Sequence, residues 1–255
     1  MIRSAARLPA FAMTSADLRS ADTVVLLHGL GLGRWAMARL ERSLRAGGYR
    51  TVNLTYPSRS LPLEQLAAEW LPAQLRSRDV AAAPHFHFVT HSMGGIVLRA
   101  WLREAQRKNG GRPPAGLGRV VMLAPPNQGS AVADRLRRFL PFRWFTGVNG
   151  IRLGTGADSL PRALGPWPAA VDLGIIAGDR TLNPLFSAWL DGPNDGKVSV
   201  ASTRLAGLRD HLVLPHSHTW LQWRADTARA VGHFLQHGRF SPPTPALPAT
   251  PSWPP

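Results

Sequence analysis

One serine of the chain stands in a segment whose pattern suits a nucleophile. The segment THSMGG, residues 90–95, lies where the apolar run HFHFV ends and the run IVLRAWLREAQ, with a helical period, begins. This predicts a sharp strand-to-helix turn that exposes the hydroxyl of Ser92 at the carboxyl end of the strand, facing the positive end of the helix dipole. The usual pattern is G-x-S-x-G, and Thr90 replaces its first glycine. Because threonine is also small, we still predict this turn at Ser92.

A serine hydroxyl needs a neighbouring base before it can attack a carbonyl group. Two histidines, His216 and His218, follow the last apolar run in HLVLPHSHTW. They are two residues apart and could share a face in an extended segment. We favour His218 as the base because it directly precedes the final predicted helix, and we interpret His216 as a hydrogen-bonded loop residue.

The base in turn needs a carboxylate that orients its ring. In proteins that expose a nucleophilic serine at such a strand-to-helix turn, the order along the chain is serine, acid, histidine. The acid comes from a loop after a late strand. We favour Asp195 in the glycine-rich segment GPNDGKVSV, and Asp179 in IIAGDR is the main alternative. Asp191 lies four residues before Asp195 and is a third candidate.

Two backbone amides are candidate donors for the oxyanion that forms when a carbonyl group is attacked. One is the N–H of Met93, directly after the serine. The other is the N–H of Leu30 in the loop HGLG, residues 28–31, which follows the first apolar strand. The glycines of this loop allow the backbone to approach a substrate, and His28 is predicted to be a structural residue of the loop rather than the base.

These residues must be positioned by alternating strands and helices. The periodicity predicts strands over residues 23–30, 49–56, 85–90, 117–123 and 171–177, with a sixth containing 212–214, and helices over residues 34–45, 62–76, 93–107 and 219–236. This alternation predicts an α/β fold with a mostly parallel central sheet and helices on both faces.

The chain divides into a predicted flexible N-terminal arm (1–22), a main domain (23–237) and a proline-rich tail (238–255) that we expect to be disordered. Within the main domain, the alternation lapses over residues 127–168, where we expect a cap or lid insertion. Arginines and aromatic residues are interleaved between residues 134 and 145. That mixture is typical of a lid with an apolar underside or of a membrane-surface contact, and a plain connecting helix is the alternative.

Composition narrows the possible functions. The chain has 30 Lys and Arg against 15 Asp and Glu, a net charge of +15, which suggests nucleic acid, an anionic membrane surface or an acidic substrate. The charges are spread along the chain and no nucleic-acid motif is present, so we predict no nucleic-acid partner and keep peripheral contact with an anionic membrane surface. The absence of cysteine excludes a disulfide framework and a cysteine nucleophile. No segment predicts a secretory signal or a membrane-spanning helix, and we expect a cytoplasmic protein.

Taken together, HGLG, THSMGG, NDGKVSV and SHTW resemble the lipase and esterase branch of the α/β-hydrolases, in the same order. The resemblance extends over residues 23–237. It implies an α/β-hydrolase fold and hydrolysis of a small-molecule or lipid-like ester without a metal or an organic cofactor. On the matching motifs it implies that Ser92, Asp195 and His218 are catalytic and that the Leu30 and Met93 amides form the oxyanion hole.

Other functions remain as alternatives. An acyltransferase would share the acyl-serine step and differ only in the acceptor, and a non-catalytic binding protein would lack one member of the serine, acid and histidine set. The pattern Gly31-x-Gly33-x-x-Ala36 suggests a dinucleotide site, but the next strand ends without the required acid. A metal site on the His85/His87 and His216/His218 pairs lacks a nearby acid in a recognisable ligand pattern.

Overall fold

Six parallel strands form one central sheet in this computed structural model, which describes residues 22–156 and 159–240. The strand order is β2-β1-β3-β4-β5-β6, and every neighbouring pair is parallel, as the alternation of elements predicts. The strands are β1 (Thr23–Leu27), β2 (Arg50–Leu54), β3 (Phe86–His91), β4 (Leu117–Leu123), β5 (Leu173–Gly178) and β6 (Asp210–Leu214).

Helices of different lengths connect the strands. They are α1 (Ala38–Ala46), α2 (Leu63–Gln65, the π-helical turn Leu66–Trp70 and Leu71–Ser77), α3 (Met93–Lys108), α4 (Ala131–Leu136), α5 (Leu140–Gly150), α6 (Leu160–Ala163), α7 (Pro184–Ser187), α8 (Val200–Thr203) and α9 (Ala225–His237). Short 3₁₀ turns cover Arg34–Met37, Val80–Ala82, Ile151–Leu153 and Leu221–Trp223.

The sheet is covered on both faces, which explains the composition of its strands. Every residue of β1, β3 and β5 is buried, and β1 and β5 read TVVLL and LGIIAG without alternation of polar and apolar residues, whereas β3 also buries His87, Thr90 and His91. One buried cluster, on the α2 and α3 side, includes Phe88, Ile96 and Trp101. A second cluster, on the α1 and α9 side, includes Leu40 and Phe234.

The ends of the packed domain differ from the predicted boundaries. Asp22, assigned to the flexible arm, accepts a hydrogen bond from the His85 amide. Beyond His237, assigned as the last residue of the domain, Gly238 ends α9 in a left-handed conformation and Phe240 is buried against Phe234. The packed chain therefore includes residues 238–240, and the rest of the predicted arm and tail lies outside the described residues.

The closing helix also begins later than predicted. The residues after His218 form a turn and then the 3₁₀ segment Leu221–Trp223, and α9 starts only at Ala225. Leu221 of the 3₁₀ segment is buried in the same cluster as the apolar residues of α9. Its apolar character therefore extended the predicted helix toward the N-terminus.

The segment over 127–168 contains helices α4, α5 and α6 and is held to the core by buried polar side chains. The guanidinium group of Arg99 on α3 donates to the carbonyl oxygens of Asn127 and Gly165, near the two ends of the segment. Burial lowers the pKa of Arg99 to about 10, and its partners in these bonds are neutral oxygens. A single buried side chain therefore ties both ends of the segment to the sheet-covering helix.

No helix within residues 22–156 and 159–240 is both long and apolar enough to cross a membrane.

Gly94 allows α3 to begin directly beside the end of β1. A Cβ atom at this position would lie 2.7 Å from the carbonyl oxygen of Leu27 and 2.8 Å from that of His28. We expect Gly94→Ala to lower the free energy of unfolding by about 1–3 kcal/mol, because backbone atoms would have to move apart. Denaturant unfolding curves measure this change.

The matched control is Gly232 in the middle of α9, where an added Cβ atom would meet no atom within 4 Å. Gly232→Ala should raise the free energy of unfolding by about 0.5–1 kcal/mol, since alanine loses less backbone entropy in a helix. Equal effects of the two substitutions would contradict the close approach of α3 and β1.

Candidate active site

Ser92 occupies a strained turn between β3 and α3. Its backbone has φ 52° and ψ −123°, a region that residues with a side chain rarely adopt. Its amide donates to the carbonyl oxygen of Leu123 at the end of β4, 2.8 Å away, which anchors the turn to the sheet. The lack of a side chain at Gly29 makes room for it, since a Cβ atom there would lie 3.3 Å from Ser92 Cβ.

Thr90 is accommodated in the position that the usual pattern gives to glycine. It is fully buried in β3, and its Oγ1 atom would lie 3.3 Å from a Cβ atom at Gly95. The Thr90 hydroxyl has no hydrogen-bond partner among the described residues. Threonine is therefore compatible with the turn because Gly95 leaves space for its hydroxyl group.

His218 lies between Ser92 and Asp195, although these residues are distant in the chain. Its Nε2 atom is 3.0 Å from Ser92 Oγ, and its Nδ1 atom is 2.7 Å from Asp195 Oδ2. An aspartate carboxylate only accepts hydrogen bonds, so Nδ1 carries the proton and Nε2 of the neutral ring can accept from the serine hydroxyl. His218 is 4% exposed and Asp195 is 2% exposed, so these polar contacts are shielded from bulk water.

The carboxylate of Asp195 is held by its own loop. Its second oxygen, Oδ1, accepts from the amides of Lys197 and Val198 at 2.9 and 2.8 Å. The main-chain amide of His218 donates to the Asp195 carbonyl oxygen at 3.0 Å, so the acid and histidine loops are joined twice. Gly178 at the end of β5 permits this approach, because a side chain there would collide with the His216 carbonyl oxygen.

The other candidate residues, His216, Asp179 and Asp191, do not contact Ser92 or His218 through their side chains. His216 Nε2 is 2.7 Å from Asp226 Oδ2, which matches its predicted role as a hydrogen-bonded loop residue. Asp179 is 3.7 Å from the Nε atom of its neighbour Arg180, and Asp191 is exposed. Of the three candidate acids, Asp195 is the one in contact with His218.

Two backbone amides beside Ser92 have no partner among the described residues. They belong to Met93, the first residue of α3, and to Leu30, which follows Gly29 in the loop after β1. The loop is held by hydrogen bonds from the Gly31 amide to Ser58 Oγ and from the Leu32 amide to the Gly29 carbonyl oxygen. The predicted oxyanion donors are therefore both free to bind a ligand.

His28 supports this loop through both nitrogens of its ring. Nδ1 is 2.7 Å from the Gly29 carbonyl oxygen, and Nε2 lies 3.2 Å from the Tyr56 amide, which donates to it. This pair of contacts requires a neutral ring with the proton on Nδ1. Burial lowers the pKa of His28, and the Tyr56 ring stacks on it with the ring centres 4.2 Å apart.

His91 was not assigned a role from the sequence, yet it contacts His218, the candidate base, directly. Its buried Nε2 atom is 3.1 Å from the His218 carbonyl oxygen, to which it donates, and the two rings lie 4.9 Å apart. Burial, together with the neighbouring His218 and Lys197, lowers the pKa of His91 well below its ordinary value. The only signal in the sequence is its place directly before Ser92, which does not reveal a partner 127 positions away.

The histidine pairs considered for a metal site point to other partners. Nδ1 of His87 accepts from the Arg119 amide at 2.8 Å, while His216 and His218 contact different carboxylates. Within the described ranges, no group of three or more histidine or acidic side chains is placed to hold a metal ion.

Comparison with known proteins adds a family match. The profile of the alpha/beta hydrolase family matches residues 24–254. The comparison with curated proteins gives no match.

Several solved structures share the fold at low sequence identity. The mature lipase BlEst2 of Bacillus licheniformis is 19% identical, with a TM-score of 0.60 over 83% of this chain and 89% of that one. Lipase 1 from Pelosinus fermentans is 13% identical, with a TM-score of 0.60 over 86% and 98%. The metagenomic carboxyl esterase MGS0156 is 19% identical, with a TM-score of 0.60 over 84% and 68%.

Buried histidines should make the folded state sensitive to mild acid. Burial, with a smaller contribution from Arg204, lowers the pKa of His211 from 6.5 to about 4, and burial also lowers the pKa values of His28 and His91. Between about pH 6.5 and 4 the unfolded chain binds more protons than the folded one, so stability falls as the pH falls. Urea unfolding at about pH 7.5 and about pH 5 should show a lower midpoint at the lower pH.

His211→Gln should flatten this pH dependence, because it removes a group that resists protonation only in the folded state. The exposed His237 provides the control, and His237→Gln should leave the dependence unchanged. If the urea midpoint of the His211→Gln variant fell more steeply with falling pH than that of the wild type, the lowered pKa inferred for His211 would be wrong.

Proposed function

The chain belongs to the α/β-hydrolase family, and on that premise we propose that it is a serine hydrolase of carboxylic esters. The observation that carries the proposal is the unbroken hydrogen-bond series from Ser92 Oγ through His218 to Asp195. Such a series converts a weak nucleophile into an effective one. The likeness to lipases and a carboxyl esterase supports the class of substrate.

The first step is attack of Ser92 Oγ on the carbonyl carbon of the ester. As the C–O bond forms, the serine proton moves to Nε2 of His218, which lies 3.0 Å away and accepts it when the ring is neutral. The ring then carries a positive charge. The carboxylate of Asp195, 2.7 Å from the protonated Nδ1, stabilises that charge without taking the proton.

The carbonyl oxygen becomes negatively charged in the same step. The free amides of Leu30 and Met93 are the groups that would donate to it, at the N-terminus of α3. Neither amide must break a bond within the described protein before it binds the oxyanion, so no energy is lost in reorganisation.

Collapse of this intermediate expels the alcohol, which receives the proton from His218, and leaves an acyl ester on Ser92. Water then attacks the acyl group with His218 again acting as the base, and the acid and the free serine are released. Adding alcohols to the assay tests for transfer to another acceptor, because an acyltransferase would form a new ester instead of the free acid.

Replacement of the nucleophile provides the direct test. Ser92→Ala should lower kcat for p-nitrophenyl ester hydrolysis at least about 10³-fold, since the acyl-enzyme cannot form. A fluorophosphonate probe should label the wild type on the peptide containing Ser92 and should leave this variant unlabelled. Ser43→Ala on the exposed surface of α1 is the control and should keep full activity. Full activity of the Ser92 variant would refute the proposal.

The identity of the acid is tested by two matched substitutions. Asp195→Asn should lower kcat about 10⁴-fold, because an amide that donates to Nδ1 stabilises the wrong form of the imidazole ring. Asp179→Asn makes the same chemical change away from His218 and should leave kcat unchanged. The reverse ranking in steady-state kinetics would assign the orienting role to Asp179.

A further inference from the structure

Exposed apolar side chains are concentrated in the connections that follow the carboxyl ends of the strands. Since all six strands are parallel, these connections leave from the sheet edge at which Ser92 lies. The large apolar residues exposed there are Trp35, Phe139, Leu140, Trp144, Phe145, Val148, Ile151, Leu182, Leu185 and Trp220. An apolar area of this kind on a folded protein usually contacts another apolar phase.

Helix α5 is broken at Gly147, where the backbone has φ 62° and ψ −150°, and large apolar side chains are exposed on both sides of the break. Leu140, Trp144, Phe145 and Val148, here called the apolar stripe, are 72%, 77%, 57% and 46% exposed. The face turned to the protein carries the buried residues Thr146, Asn149 and Gly150. This arrangement is the reverse of the usual amphipathic helix, whose apolar face covers the core.

Specific contacts hold the helix in this orientation. The side chain of the fully buried Asn149 accepts from the Leu63 amide at 2.9 Å and donates to the carbonyl oxygens of Ser58 and Leu61 at 2.9 and 2.8 Å. The Val148 amide donates to the Arg59 carbonyl oxygen at 2.9 Å. These four hydrogen bonds fix the residues after the break at Gly147. Before the break, the Trp144 carbonyl oxygen accepts from the Arg59 guanidinium at 2.7 Å, so the exposure of the apolar stripe is built into the fold.

The stripe lies beside the candidate oxyanion loop. The Phe145 ring is 3.8 Å from the position of a Cβ atom on Gly31, which follows Leu30 in the chain. The Arg59 guanidinium lies 5.6 Å from the centre of the Trp144 ring and 5.8 Å from that of Phe145. A surface that receives the stripe would therefore meet the protein next to Ser92.

The charge around the stripe is strongly positive. Residues 127–156 contain five arginines and a single carboxylate, Asp134, which accepts two hydrogen bonds from Thr155. Four of these arginines are exposed and flank the stripe; we call Arg135, Arg137, Arg138 and Arg143 the arginine cluster. Arg143 lies one helical turn from Leu140, so charge and apolar surface share one side of α5.

We propose that the apolar stripe and the arginine cluster form a docking surface for an anionic phospholipid bilayer. Leucine, tryptophan and phenylalanine side chains suit the boundary between head groups and acyl chains, and arginines suit anionic head groups. A second copy of the chain is the less suitable occupant, because two arginine clusters would repel each other. The inference rests on the proposed function only for the substrate, since docking would present Ser92 to esters held in the bilayer.

The experiment measures flotation of the full chain with vesicles of phosphatidylcholine, with or without phosphatidylglycerol. It is performed in the Ser92→Ala background, so that binding is measured without hydrolysis and independently of the proposed catalysis. We expect binding to the mixed vesicles, weak binding to pure phosphatidylcholine, and release at about 1 M salt, where the Debye length is about 3 Å.

Two double variants test the two parts of the surface. Arg137→Glu with Arg138→Glu should reduce partition into mixed vesicles at least about 20-fold, because each basic side chain near an anionic surface is worth roughly a fivefold change. Leu140→Ser with Trp144→Ser should reduce partition at least about tenfold by removing apolar insertion. Arg76→Glu with Arg112→Glu is the charge-matched control, since these exposed arginines precede strands and lie at the opposite sheet edge.

Hydrolysis of a short water-soluble ester, measured for each double variant with Ser92 present, verifies that the fold is intact. The proposal is overturned if the wild-type surface does not bind mixed vesicles, or if the control pair loses binding as strongly as the arginine cluster variant. A change of sedimentation mass from dimer to monomer in the stripe variant would instead assign the stripe to self-association. If the wild-type chain hydrolyses no ester but the Ser92→Ala chain binds mixed vesicles, the proposed function is refuted and the docking surface is not.

Discussion

The strained backbone at Ser92 is the constraint on which the rest of the structure depends. A positive φ at a residue with a side chain is unfavourable, and it persists only when the surroundings enforce it. Here β4 holds the Ser92 amide, Gly29 leaves room for the His91 and Ser92 side chains, and Gly94 admits the Leu27 carbonyl oxygen at a distance that a Cβ atom would prevent. The strained turn holds the Ser92 hydroxyl at the carboxyl end of the central strand β3 and at the N-terminus of the long helix α3.

The loops that meet at Ser92 are linked to one another through buried polar contacts. His218 contacts Ser92, Asp195 and, through its main-chain oxygen, His91, so the histidine loop is held from three directions. The contact with the carboxylate of Asp195 places a proton on Nδ1 of His218, and the contact with a carbonyl oxygen places one on Nε2 of His91. Burial lowers the pKa of His91, which contacts His218, and of His28 in the loop after β1, so part of the sensitivity of the folded state to mild acid comes from histidines around the candidate site.

The fold shows where part of the positive charge of the chain is concentrated. Taken over the whole sequence, a net charge of +15 is compatible with several kinds of anionic partner. The folded chain places a group of exposed arginines next to an apolar stripe, on the helix that adjoins the candidate oxyanion loop. Exposed aromatic residues beside arginines could also stack on bases, but the exposed aliphatic side chains of Leu140, Val148 and Ile151 support the proposed lipid surface.

Local patterns were sufficient to predict the parallel sheet and the strand-to-helix turn at Ser92. They were sufficient because buried parallel strands and strand-to-helix turns leave their mark in adjacent residues. The sequence also limited the candidate base to two histidines and the candidate acid to three aspartates. It could not decide between them from spacing alone, since His216 and His218 are equally able to reach a shared edge in extended geometry.

Those decisions depended on contacts between residues far apart in the chain. The packing of β5 against the acid loop, which Gly178 permits, brings Asp195 rather than Asp179 to His218. The sequence shows that arginines and aromatic residues are interleaved over residues 134–145, but only the contacts of Trp144 and Asn149 with the segment 58–63 determine that the apolar side chains of α5 point outward. In both cases a local pattern defines what a segment could do, and the tertiary structure selects one outcome because the partner that decides it comes from elsewhere in the chain.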